Sequence, residues 1–375
     1  MLRVSRIAAL IGMGNPLGRG LVRFWQSLAI AGVVLAGVLQ VLGPPPSGVR
    51  DMALVVAPTG PTEASLAVTG PPPPPVVRQV VVRPTPAPIA VLQEPAAGLA
   101  GATLPRIGPD GRAPRDAYAV PFDRTDSRPR IGLIMLGLGL NGADTEEAIR
   151  SLAAGSTVAF SPYAQRFDPH VAAARARGHE LLMSLPLEPR DAPMNDAGNQ
   201  SLLVSAPVEQ NLRRLEWSLS RFPGYVGAIG ALGALRGERF SVSGEPMRLM
   251  MQTLAARGLL YIDPRAGSGA TPLVWGRAID VIIDQTPQRS DIELSLQKLE
   301  QMARERGSVL AMASAPLPVT VGRIAVWAAG LAERGLVLAP VSVLVNEPDT
   351  APPPVQPIPP YQPSESRLDR QERVR

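Results

Sequence analysis

The chain has no cysteine and only two histidines, His170 and His179, among its 375 residues. Without cysteine there is no disulfide, no iron–sulfur cluster, no thiolate-bound zinc and no thiol nucleophile. Two histidines leave little from which to build an imidazole-rich metal centre. Lysine is nearly absent, so arginine carries the positive charge, and the net excess is only +5. That excess is spread along the chain, and aromatic residues make up just 4% of it. A dispersed charge without aromatics on basic strands argues against nucleic acid as a partner.

Proline is abundant instead, at 42 residues, and very unevenly placed. Residues 1–24 carry Arg3, Arg6, Arg19 and Arg23 and no acid. The uncharged stretch that follows, Trp25–Gly43, is long enough to cross a bilayer as a helix. The arginines before it predict a cytoplasmic N-terminus and a signal anchor in the inner membrane, with the rest of the chain extracytoplasmic or periplasmic. A cleaved signal peptide is the other reading of the same stretch. Pro44-Pro45-Pro46 stops any helix, and residues 44–128 are rich in Pro, Ala, Val and Thr. That composition predicts a disordered linker. Residues 347–375 return to proline and charge and read as a disordered tail.

Between them, residues 129–346 read as one folded domain of about 215 residues, a usual size for α/β proteins. Arg130–Gly139 is a short run apolar on both faces, the mark of a buried parallel strand. Strands are also predicted at 156–161, 180–185, 225–232, 259–262, 278–283, 309–313 and 336–344. Helical patterns lie between them, at 172–177, 208–221, 246–257, 292–306 and 324–334. The alternation predicts a distorted (β/α) barrel of seven to eight parallel strands.

In such folds chemistry collects where strands end. The first strand ends in Leu136, Gly137, Leu138 and Gly139, with no acid. Later ends carry Glu188, Asp263 with Arg265, and Asp284, which makes Asp263, Asp284 and Glu188 the candidate catalytic groups. Arg265, Trp275 and Ser314 are the candidate substrate-binding residues. Tyr261 is a second aromatic candidate, though it reads as core. The same acids could equally be an Asp/Arg network that props the barrel mouth. His179 precedes a strand, on the opposite face, and reads as structural.

Several ordered fragments carry a resemblance. They include Arg175-Ala176-Arg177-Gly178-His179-Glu180, Leu185-Pro186-Leu187-Glu188-Pro189 and Pro223-Gly224-Tyr225-Val226-Gly227. Later come Arg257-Gly258-Leu259-Leu260-Tyr261-Ile262-Asp263, Ile279-Asp280-Val281-Ile282-Ile283-Asp284 and Leu338-Ala339-Pro340-Val341-Ser342. Over about residues 130–345 the chain resembles the divergent polysaccharide deacetylase family of bacterial envelopes. The resemblance implies a barrel related to carbohydrate esterases. It also implies a divalent metal such as zinc, held by an Asp and two His, with a second Asp as base. Here the matching positions read Leu136-Gly137, Ile229-Gly230-Ala231 and Ala313-Ser314-Ala315-Pro316. The expected metal ligands are therefore absent and no cofactor is expected. Two readings follow. One is a catalytically degenerate domain, acting in envelope carbohydrate metabolism by binding glycan or a protein partner. The other is an active hydrolase using the strand-end carboxylates or an unusual metal site.

Overall fold

In the computed structural model, residues 84, 86–268 and 273–349 are described. The basic N-terminus, the Trp25–Gly43 stretch, most of the Pro-rich segment and nearly all of the tail lie outside them. All described residues fall in one unit, Val77–Arg375. Among the described residues no helix is long and apolar enough to cross a membrane.

The first described elements lie inside the segment expected to be a linker. A short 3-10 turn at Ala90–Leu92 leads into an antiparallel pair, β1 (Gln93–Pro95) and β2 (Thr103–Pro105), and a short helix, α1 (Pro114–Ala117), follows. Leu92, Leu104 and Tyr118 are buried. The linker expectation is therefore corrected for its described part, where folded structure begins by residue 90, and the rest of it lies outside the described residues. Proline density misled because these prolines sit where they fit a packed chain, Pro114 at the first turn of α1 among them.

Next comes the barrel. Its strands are β3 (Arg130–Leu138), β4 (Thr157–Phe160), β5 (Glu180–Ser184), β6 (Gly227–Ile229), β7 (Leu260–Asp263), β8 (Gly276–Ala278), β9 (Val281–Ile282), β10 (Ser308–Ala313) and β11 (Val337–Leu338). The helices are α2 (Gly142–Ser151), α3 (Asp168–Ala176), α4 (Val208–Leu219), α5 (Glu245–Ala256), α6 (Arg289–Arg306) and α7 (Pro318–Ala329). Every pairing among these strands is parallel, in the order β8-β7-β6-β5-β4-β3-β10-β9, with β11 beside β3.

The stretch expected as one strand at 278–283 is two. β8 pairs with β7 while β9 pairs with β10, so one run of chain carries both edges of the curled sheet. The kink between them is held by Ile279 N–H on Asp263 O (3.0 Å) and Asp280 N–H on Leu310 O (2.7 Å). The last strand is also shorter than expected. Pro340 has no N–H to continue the ladder, and Val341–Val343 turns into a 3-10 helix.

Alternation along each strand divides the apolar residues into two layers. Leu133, Met135, Val158, Leu181 and Val309 face the helices. Ile134, Leu136, Ala159, Leu182, Ile229, Leu260, Ile262, Leu310 and Met312 fill the barrel interior, together with Leu92, Ala117 and Tyr118 from the N-terminal segment. That segment is thus a strap across the base of the barrel, the end from which its strands start. Gly132 has no side chain because the space is taken: an added Cβ would collide with the side chains of Leu344 and Leu310.

Candidate functional site

The mouth of the barrel, at the C-terminal ends of the strands, is where acids were sought. Each one is already engaged. Asp263, at the end of β7, is buried and forms a two-pronged ion pair with Arg265: Nε to Oδ1 at 3.0 Å and Nη2 to Oδ2 at 2.6 Å. Its Oδ1 also accepts Arg265 N–H at 2.9 Å. The pairing holds the Arg265 guanidinium above its ordinary value, against the opposing effect of burial.

Asp284 follows β9 and is buried too. Its oxygens accept Ser314 N–H at 2.8 and 2.9 Å, and Oδ2 also accepts Ala315 N–H at 3.3 Å. It ties the end of β10 to the end of β9. Ser314 takes part through its backbone, so this contact gives its hydroxyl no catalytic role. Removing the carboxylate leaves two amides without their acceptor, which costs about 1–3 kcal/mol for a buried group. Asp284→Ala is accordingly expected to lower unfolding free energy by about 2 kcal/mol in a urea titration. An unchanged midpoint would show that those amides find other partners.

Glu188, past the end of β5, accepts Val204 N–H at 2.6 Å and lies 3.2 Å from Arg239 Nη1. It closes the base of the long 187–206 loop. The structure therefore brings Asp263 to Arg265, Asp284 to Ser314 and Glu188 to Arg239. No hydrogen bond joins these three carboxylates to one another among the described residues.

Trp275 lies elsewhere. It immediately precedes β8, its carbonyl accepts Tyr261 N–H at 2.8 Å, and the guanidinium of Arg115 from the strap stands 5.1 Å from its ring centroid. Arg115 N–H in turn bonds Gly258 O, just before β7. Trp275 is thus at the base, and its expected place beside a substrate is corrected: a residue ahead of a strand belongs to the opposite end from one after it. Tyr261 is fully buried.

The positions matched to metal ligands are closed by packing. Leu136 points into the filled interior with Ile229, Ala231 and Met312. Gly137 has φ +79, and an added Cβ would stand 3.2 Å from Pro316 Cδ and 3.5 Å from Ser314 O. A Cβ on Gly230 would collide with the Tyr261 hydroxyl. Among the described residues no group of three or more His, Asp or Glu could hold a metal ion. The residues at the mouth do not fit the family's metal.

The histidines are not at the mouth. His179, fully buried just before β5, has Nε2 3.0 Å from Ile149 O. Burial pushes its pKa down. His170 begins α3, with Nε2 3.5 Å from Glu146.

One feature was not anticipated. Tyr163, in the loop after β4, and Trp217, on α4, form a half-buried aromatic pair with ring centroids 5.5 Å apart at 44°. They are 54 residues apart in the chain, and no local pattern links them.

The family model for divergent polysaccharide deacetylase matches residues 133–345. The chain belongs to the divergent polysaccharide deacetylase family. An uncharacterized protein from Agrobacterium tumefaciens C58 is similar in structure, with a TM-score of 0.61 and 29% identity over 65% of this chain and 100% of that one. The catalytic domain of peptidoglycan N-acetylglucosamine deacetylase from Eubacterium rectale ATCC 33656 is more distant, with a TM-score of 0.40 and 12% identity over 63% of this chain and 98% of that one. A likeness that low carries no argument about activity. No curated protein matches the chain. For this deacetylase-family barrel, the strand-end carboxylates serve as internal struts: each satisfies an arginine or backbone amides of the mouth loops.

Proposed function

We propose that the protein is a catalytically degenerate member of its family, acting in envelope carbohydrate metabolism by binding a glycan rather than by deacetylating it. It would be held at the inner membrane by residues 25–43, with the barrel on the extracytoplasmic side. One observation carries the reading: Asp263, Asp284 and Glu188 are all spent on internal partners, while the positions for metal ligands abut Pro316 and Tyr261. A catalytic zinc site needs about three converging protein ligands and an open position. A general base needs a carboxylate with access to the reacting proton. The internal bonds of the three carboxylates, and the lack of a cluster of three or more His, Asp or Glu among the described residues, support the degenerate reading.

The test is elemental analysis of the purified full chain together with acetate release from acetylated chitooligosaccharides. Zinc is expected far below one equivalent, with acetate release no faster than a blank. Zinc near one per chain, or acetate release that Asp263→Asn or Asp284→Asn abolishes, would establish a working enzyme and overturn the proposal.

A further inference from the structure

We infer that the Tyr163–Trp217 pair is a saccharide subsite formed between the loop after β4, the 187–206 loop and α4, and not by Asp263, Asp284 or Glu188. The inference rests on the glycan-binding reading above and gives it a location. Sugars present apolar C–H faces and a rim of hydroxyls. A site for them therefore needs aromatic surface that stays partly wet, edged by amide, carboxylate and guanidinium groups.

This pair has that composition. Both rings remain half-buried, neither sealed in the core nor free in solvent. Their placement is over-determined. Arg221 reaches from the end of α4 to Pro162 O (2.8 Å) and Ala164 O (3.3 Å), clamping helix to loop. The same guanidinium lies 5.0 Å from the Trp217 ring centroid. On the other side, the Tyr163 hydroxyl accepts Gln200 N–H at 3.1 Å. Gly198 adopts φ +99 beside it, and an added Cβ there would stand 2.5 Å from that hydroxyl. The segment Asp196-Ala197-Gly198-Asn199-Gln200 is thus pressed against the tyrosine, with Asp196 and Asn199 exposed. Burial raises the pKa of the Tyr163 hydroxyl, and Asp196 adds to that rise while Arg214 opposes it. Arg214 is itself fixed by its bond to Ser201 O at 2.6 Å. A rigid aromatic step edged by a carboxylate, amides and a guanidinium loses little freedom on binding, which favours a weak polar ligand.

The experiment uses the full chain in detergent and N-acetylglucosamine oligomers as the probe, with affinity read by calorimetry. Trp217→Ala and Tyr163→Ala are each expected to weaken binding at least tenfold, while Arg265→Ala at the mouth leaves it within twofold. Because Trp217→Ala could disturb packing, a second readout keeps the native ring. With Trp25, Trp275 and Trp327 replaced by Phe, the emission of Trp217 alone should shift on adding oligomer. If oligomer binds but Trp217 emission and both alanine variants are unmoved, the subsite is refuted and the glycan-binding reading stands. If Arg265→Ala loses binding while keeping the native melting midpoint, the ligand sits at the Asp263–Arg265 pair and the subsite is equally refuted. If the native chain binds no oligomer, both fail.

Discussion

A fragment starting at residue 129 is expected to unfold at least 10 °C below one starting at residue 84, or to fail to fold at all. The strap accounts for this. Leu92, Leu104 and Tyr118 are 1–2% exposed, and Leu92 and Tyr118 share the interior cluster with β-strand residues such as Leu136 and Leu182. Burying a large apolar side chain contributes about 1.5–3 kcal/mol, so three of them approach the whole stability of an ordinary domain. Polar contacts fix the register of the strap. Arg257 bonds Glu94 (2.8 Å) and Pro105 O (3.1 Å), and Ile89 N–H bonds the Tyr118 hydroxyl (3.0 Å). Deleting the strap opens the base of the barrel to water as well. For about 5 kcal/mol lost in a domain of this size, Tm falls by roughly 10–20 °C. The check is circular dichroism melting of the 84–349 and 129–349 fragments side by side. Equal midpoints would mean that the strap merely lies on a barrel complete without it.

The sequence shows the barrel where period and burial agree. β3 is apolar on both faces, so its run of Ile, Leu and Met reads as a central parallel strand. α4 shows Leu215 and Leu219 on a buried face and is equally legible. The strap was not legible, because its few apolar residues are separated by prolines and its partners lie far off in the chain: Val120 meets Glu180 and Arg115 meets Gly258. The kink that divides β8 from β9 depends on which strand each half pairs with, and no local pattern encodes that. For the site, sequence supplied Glu188, Asp263 and Asp284 as strand-end acids but not their partners. Arg265 is two residues from Asp263, and that proximity was the available hint of an internal ion pair. Ser314, thirty residues from Asp284, offered none. Trp275 failed for a definable reason. The segment after β7 starts at the mouth beside Asp263, but its far end has already returned to the base where Trp275 leads into β8.

The other large effect is expected at Glu180. This residue begins β5 inside the base of the barrel and is 0% exposed. One carboxylate oxygen accepts Val120 N–H (3.2 Å) and the Ser342 hydroxyl, and the other accepts Ser342 N–H (2.9 Å). A single side chain thus joins the strap, β5 and the closing segment after Pro340. Nearby, Val341 N–H bonds the Thr157 hydroxyl at 3.2 Å. Glu180→Ala strands buried donors and leaves a cavity, so a loss of about 3–5 kcal/mol is expected. Glu180→Gln keeps the volume but turns an NH2 toward N–H donors, for a loss of about 2 kcal/mol. The two chains should also differ in pH response. Burial raises the Glu180 pKa above its ordinary value, and the hydrogen bonds from Ser342, Val120 and Val341 only partly oppose this. With the folded pKa above the unfolded one, the folded state binds the proton more tightly. The stabilisation linked to that proton is fully present below the unfolded pKa and is lost as pH rises through the raised folded value. On acidification through that window, the native chain should therefore gain stability relative to Glu180→Gln, which has no proton to take up. Urea unfolding of both chains across a pH series measures the difference. A constant gap between them would show that Glu180 keeps an ordinary pKa in the folded barrel. A gap near zero throughout would remove it as the tie between strap, sheet and closing segment.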